Sequence, residues 1–220
     1  MHTESKLQQL KHIDEVFSAI TFLYLKPLES NLETDFIKET FDADGLSFCD
    51  DILVKVSRSF AAVIRQLPST MLVDIMIFYL VLRALDTVED DTTAFASNEI
   101  KIKELKSFRA NALGNPNWSM DGVGEGDEKR LLQEFPKCHR IYAALNPKSR
   151  AIIDDITERM ADGMAEFVSK DLGQGTKDIP EYNRYWYVQV VGQINNDTNL
   201  VLSSPFLLFS WNYQVTLWLV

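Results

Sequence analysis

Phe78-Tyr79-Leu80-Val81-Leu82-Arg83-Ala84-Leu85-Asp86-Thr87-Val88-Glu89-Asp90-Asp91 is an apolar run that ends in carboxylates. At about 100° per residue, an α-helix places Asp86, Glu89 and Asp90 on one face, and Tyr79 and Arg83 share that face within a roughly 120° arc. Asp91 points elsewhere. Acids at a helix end can simply face solvent. Residues 71–82, however, carry a single charge, Asp74, so their helix is mostly buried. Acids that continue a buried helix line a cavity more readily than they cover a surface. Three carboxylates on one rigid surface repel one another, and a divalent cation gives a reason to gather them. Mg²⁺ is a hard ion that keeps several waters and is held by one or two carboxylates plus substrate phosphates. Arg83, about one turn earlier, offers a phosphate its fork of donors.

Around this stretch the sequence punctuates itself into helices. Leu7, Leu10, Ile13, Phe17, Ile20 and Leu23 recur at spacings of three and four and predict a helix over 5–25 that ends near Pro27. A short helix is expected over 31–41, a turn at Asp42-Ala43-Asp44-Gly45, and a helix over 46–66 that holds Ser57-Arg58-Ser59-Phe60. Pro68-Ser69-Thr70 breaks that helix and caps the next, 71–91. A helix near 97–112 runs into Gly114-Asn115-Pro116-Asn117. Residues 114–128 read as a plain flexible loop, because Gly122, Gly124 and Gly126 lack the preceding strand and the spacing of a phosphate loop. Asn146-Pro147 opens a helix to about residue 172, with Pro147 at a favoured first position and Ile152, Ile156, Met160, Met164 and Phe167 along one face. Asp155, Glu158, Asp162 and Glu166 form a stripe on this helix. The stripe could be a second metal site, but with Lys148, Arg150 and Arg159 nearby it reads as a solvated or partly lining face.

Composition narrows the class. The chain has 220 residues, enough for one domain with a sizeable core. Glycine and proline are sparse and lie between periodic segments, which suits an all-α domain. With 32 Asp+Glu against 22 Lys+Arg and a net charge of −10, and no basic run, nucleic acid is not an expected partner. Cys49 and Cys138 show neither metal spacing nor a disulfide framework, which fits a reducing compartment. His2, His12 and His139 are scattered and read as surface histidines. Met1-His2-Thr3-Glu4-Ser5-Lys6 has no secretory signal pattern.

The Phe78–Asp91 stretch resembles the first aspartate-rich motif of the squalene synthase family, the farnesyl-diphosphate farnesyltransferases. Ser57-Arg58-Ser59-Phe60-Ala61-Ala62-Val63-Ile64 is similar to the family's upstream signature. Gly163-Met164-Ala165-Glu166-Phe167 and Tyr182-Asn183-Arg184-Tyr185 follow in family order, so the resemblance covers roughly residues 45–185. It implies an incomplete isoprenoid synthase helical bundle. It also implies a Mg²⁺-dependent condensation of two farnesyl diphosphates, followed by NADPH reduction to squalene in sterol biosynthesis. By resemblance, Asp86, Glu89 and Asp90 hold Mg²⁺ and Arg58 and Arg83 bind diphosphate oxygens. Ser57 and Ser59 lie nearby as hydroxyl donors, and Phe60 and Tyr79 wall the prenyl pocket. The related phytoene and dehydrosqualene synthases share the first half-reaction, and a non-catalytic truncated isoform is the reading from another class. The family implies the cytosolic face of the endoplasmic reticulum membrane, or the cytosol if the tail is no anchor.

After Arg184 the composition changes. Asp197 is the only charge to the end, and the family's second aspartate-rich motif has no counterpart. Tyr187 lies one position from where the family's catalytic tyrosine is expected. The domain expected over 1–185 therefore gives way to a divergent apolar tail over 186–220. Its readings are a foreign tail from an alternative transcript or misjoined gene model, a membrane-associated segment, and a β-prone segment. Residues 198–220 are long enough to span a bilayer, which needs about 20, but Ser203-Ser204-Pro205, Asn212 and Gln214 dilute them.

Overall fold

A computed structural model describes residue 32 and residues 34–169. The expected helix over 5–25, the Tyr182–Tyr185 segment and the tail over 186–220 lie outside the described residues. The described residues hold eight α-helices, one π-helical turn and no strand, as the all-α reading requires. In chain order the helices are α1 (Asp35–Thr40), α2 (Ala43–Val56), α3 (Arg58–Ile64), α4 (Ser69–Asp90), α5 (Asn98–Phe108), α6 (Gly126–Gln133), α7 (Phe135–Ala144) and α8 (Pro147–Ser169). The π-helical turn, Arg109–Leu113, continues α5.

Helix α4 is the axis of the bundle. Leu72, Val73, Ile75, Met76, Ile77, Leu80, Val81, Leu82, Ala84, Leu85 and Val88 are all buried along it. They point in every radial direction, because α1, α2, α3, α5, α6, α7 and α8 all pack on this one helix. Its one early charge, Asp74, accepts a hydrogen bond from Ser149 Oγ of α8 at 2.6 Å. Burial pushes the Asp74 carboxyl above its ordinary range, and the Ser149 hydroxyl only partly offsets that.

The structure corrects four boundaries. Asp42-Ala43-Asp44-Gly45 is not a free turn but the start of α2, where the Asp42 side chain accepts from Gly45 N–H at 2.7 Å and caps the helix. The helix expected over 46–66 is two helices. Ser57 is extended, at φ −160° and ψ 98°, and it breaks the run between Val56 and Arg58. Arg65 clamps the halves by donating to both Asp50 oxygens, Nε at 2.8 Å and Nη2 at 2.6 Å. Ser69 does not cap α4. Pro68 stands at the cap, and its carbonyl accepts from Met71 and Leu72. Between 126 and 144, where no helix was read, α6 and α7 bury Leu131, Leu132, Phe135, Cys138, Ile141 and Tyr142.

The segment 114–125 is built rather than loose. Trp118 sits edge-on between Phe108 and Phe135, with ring centroids 5.3 and 5.2 Å away. Met120 N–H donates to the Leu132 carbonyl. His139, expected at the surface, is buried, and its Nε2 lies 3.1 Å from the Leu113 carbonyl. That carbonyl closes the π-helical turn and needs a partner. Cys49 and Cys138 are distant in sequence, but packing of α2 on α7 brings their sulfurs to 3.6 Å as free thiols. The acidic stripe on α8 faces solvent at Asp155, Glu158 and Asp162. Asp155 pairs with Arg159 and Glu158 with Arg109. No helix among the described residues is long and apolar enough to cross a membrane.

Candidate functional site

The site lies where α4 leaves its apolar surroundings. Asp86, Glu89 and Asp90 follow the last buried turns, and Thr87 and Val88 between them are buried on the opposite side. Asp86 is surrounded by protein on nearly all sides yet keeps a strip of accessible surface, whereas Asp90 is open to solvent. Burial pushes the Asp86 carboxyl up to about 7, Asp90, Glu89 and Glu128 add to the rise, and Arg83 opposes it. Glu89 is also pushed up to about 7, by burial and then by the charge of Asp90, with Lys101 opposing. Both carboxyls resist ionisation chiefly because they are buried, and the neighbouring acids add to that, so a cation at this face would favour their charged forms.

Arg83 sits one turn back on the same face. Its Nη2 donates to Glu128 Oε1, from the first turn of α6. Burial disfavours the guanidinium charge, but Glu128, then Tyr79 and Asp86, outweigh burial and hold Arg83 above its ordinary range. Arg83 Nε is buried with no hydrogen-bond partner among the described residues. Tyr79 packs its ring on Phe60 of α3, with centroids 4.9 Å apart. Burial raises the Tyr79 phenol, while the nearby Ser57 hydroxyl and Arg83 pull it down. The break at Ser57 is what lets this happen: it frees α3 to turn Phe60 onto α4. Ser57 Oγ itself is buried without a well-aligned hydrogen bond.

Seven of the nine residues singled out in the sequence therefore meet on one surface: Ser57, Phe60, Tyr79, Arg83, Asp86, Glu89 and Asp90. Arg58 and Ser59 do not join them in this structure. Both are exposed at the start of α3, and neither side chain pairs with a described residue. Two site residues escaped the sequence reading. Glu128 carried no signal, since its role depends on a contact 45 positions from Arg83. Lys101 of α5 is buried, and its charge acts on Glu89; in the sequence it is one lysine among several in a polar helix.

Asp91 turns away from this face, as the helical geometry predicts, and ties down the next loop. Its oxygens accept from the N–H groups of Gly124, Thr93 and Ala94, each at 2.8 Å. Those donors, Gly124 first, lower the Asp91 carboxyl to about 2. Gly124 has φ +74°, and a Cβ there would lie 2.5 Å from Thr87 Cγ2, so only glycine fits against α4.

Among the described residues, no three His, Cys, Asp or Glu side chains converge into a ready-made metal cage. The donor set instead suits Mg²⁺, which takes hard oxygen ligands from one or two carboxylates and completes its shell with water and phosphate. Asp86, Glu89 and Asp90 provide such oxygens.

Comparison with known proteins identifies the family. The family model for squalene/phytoene synthase matches residues 53–193, reaching past residue 185, where the sequence resemblance was expected to end. Squalene synthase LSS of Botryococcus braunii is 41% identical over 182 residues, 82% of this chain and 36% of its own length. Squalene synthase ERG9 of Candida albicans is 37% identical over 205 residues, 91% of this chain and 44% of its own. A solved structure of TcSQS with the ligand BPH1237 superposes with a TM-score of 0.62 at 40% identity, covering 68% of this chain and 42% of that one. The chain thus spans less than half the length of each of these relatives. With its central helix, its carboxylate face and these matches taken together, the chain belongs to the squalene/phytoene synthase family.

Proposed function

We propose that the α4 face binds a prenyl diphosphate through Mg²⁺ and contributes this half of the site to the head-to-head condensation of two farnesyl diphosphates. The product of that step, presqualene diphosphate, is reduced to squalene with NADPH. The carrying observation is geometric: Asp86, Glu89 and Asp90 follow the buried turns of α4 on the face that also carries Arg83, and burial pushes the Asp86 and Glu89 carboxyls up to about 7. When bound at Asp86, Glu89 and Asp90, Mg²⁺ supplies positive charge against the leaving diphosphate. Arg83 adds fixed donors to diphosphate oxygens. Arg58 stands apart from this face at the start of α3 and has no partner among the described residues; on this reading it turns inward to the same group when a diphosphate binds. Phe60 and Tyr79 wall the prenyl chain, exclude water from an allylic cation and offer it their ring faces. NADPH enters through the family's reduction step and is assigned to no described residue. Association with the endoplasmic reticulum membrane belongs to the same reading and also rests on no described residue.

Isothermal titration of the 220-residue chain with farnesyl diphosphate, with and without Mg²⁺, tests the proposal. Binding is expected only with Mg²⁺, and Asp86→Ala abolishes it. Equal heats in both conditions, or unchanged binding in Asp86→Ala, would remove the metal role.

A further inference from the structure

Arg83 is the cation best placed to meet a diphosphate, yet it already holds an anion. Glu128 reaches it from α6, 45 positions away. The pairing is one-sided. A guanidinium has two edges that hold carboxylates or phosphates by parallel hydrogen bonds. Only Nη2 of Arg83 is used by Glu128, and Nε stays buried and unpartnered. An orphaned buried donor is costly. Arg65, by contrast, holds Asp50 through both Nε and Nη2, which shows the two-point pairing that Arg83 leaves unmade. Glu128 keeps 35% of its side chain exposed while Arg83 keeps 23%, so Glu128 is the partner with room to leave.

We propose that Glu128 is a displaceable internal anion that occupies Arg83 until a diphosphate takes its place, and so sets the threshold for diphosphate binding. This inference rests on the diphosphate-binding reading of the α4 face. A diphosphate has several oxygens and more charge than one carboxylate, and it can satisfy both Nε and Nη2. Glu128 then moves into solvent from the first turn of α6. Until then the same carboxylate keeps Arg83 from lying unpaired and adds to the negative charge around Asp86. An anion that cannot match the two-point pairing gains too little to displace it, so the pair discriminates against weak monodentate anions. Sequence gave no hint of this, because Glu128 lies outside every motif on α4.

Two measurements on the 220-residue chain test the proposal. The probe is inorganic pyrophosphate with Mg²⁺, titrated calorimetrically into the natural chain, Glu128→Gln and Glu125→Gln. Glu125 is exposed nearby, and among the described residues Arg83 pairs with Glu128 and not with it, so it controls for net charge. Glu128→Gln should bind pyrophosphate about two- to fivefold more tightly, as expected for removing a partly exposed competing ion pair. Glu125→Gln should stay close to the natural chain. In parallel, ¹⁵N spectra of the Arg83 guanidinium should show hindered rotation in the natural chain. That hindrance should vanish in Glu128→Gln and change on adding pyrophosphate. Weaker or unchanged pyrophosphate binding in Glu128→Gln overturns the proposal and makes Glu128 a scaffold for Arg83. So does a guanidinium signal indifferent to Glu128. If no protein binds pyrophosphate although the signal does respond to Glu128→Gln, the diphosphate reading itself fails and takes displacement with it.

Discussion

Asp86 and Glu89 ionise near pH 7 in the folded chain, against ordinary values of 3.8 and 4.5. Between about pH 4 and 7 the folded state therefore keeps protons that the unfolded chain has released. Stability falls as pH rises through that window and levels off above it. On the proposed Mg²⁺ site the ion would compete with those protons for the same oxygens, and would stabilise most where the carboxyls are ionised. Melting curves of the metal-free chain should shift to lower temperature from pH 5 to pH 8, and Mg²⁺ should raise the midpoint more at pH 8 than at pH 5. Asp86→Asn should flatten both trends. An equal Mg²⁺ shift at the two pH values would show that the ion acts elsewhere. Asp91, the fourth acid of the run, has the opposite character. Three backbone N–H groups hold its charge, so it serves the loop rather than a ligand.

Among the elements, the junction of α4 with the 114–125 segment is the one most exposed to test. Asp91 joins them through Gly124, and Trp118 pins the segment between α5 and α7. Asp91→Ala removes the shared acceptor and should cost about 1–3 kcal/mol, with faster hydrogen exchange at Thr93, Ala94 and Gly124. Gly124→Ala should destabilise through both the positive φ and the contact with Thr87. Chemical denaturation reads both variants, and a Gly124→Ala midpoint at or above that of the natural chain would contradict the close packing of loop on helix. The two halves of the Ser57 break belong to this scale too. Helix propensity alone runs straight through Val56-Ser57-Arg58, but the Asp50–Arg65 clamp and the Phe60–Tyr79 contact reward folding the chain back on itself.

For the molecule as a whole, stability and activity are separate questions. Phe108 is fully buried and touches both Trp118 and Phe135. Phe108→Ala should lower unfolding free energy by about 3–5 kcal/mol and alter Trp118 fluorescence. A loss under about 1 kcal/mol would mean that the aromatic cluster does not hold the loop. For activity, the chain offers one carboxylate cluster, and after Arg184 only Asp197 is charged. Ionising an allylic diphosphate needs fixed positive charge around the leaving group, and losing one such preorganised group already costs about a hundredfold to a thousandfold in rate. Given farnesyl diphosphate, Mg²⁺ and NADPH, the purified 220-residue chain is expected to form no squalene above the no-enzyme control. Squalene in that assay would show that a single cluster suffices.

By itself the sequence determined the helical class, the central buried helix and the carboxylate face. Each is a local property: one charge in residues 71–82 marks a buried helix, and 3.6 residues per helical turn place Asp86, Glu89, Asp90, Arg83 and Tyr79 on one face without reference to anything else. The family resemblance added Ser57 and Phe60. Only the tertiary structure decided what those residues meet. Glu128 on Arg83, Lys101 near Glu89, the Cys49–Cys138 approach and Gly124 against Thr87 join residues many positions apart. Burial likewise made His139 a core residue and moved Asp86 and Glu89 to near-neutral ionisation. Periodicity reports which way a side chain faces on its own helix. The charge and packing it encounters depend on how the other helices close around α4, and no local pattern carries that information.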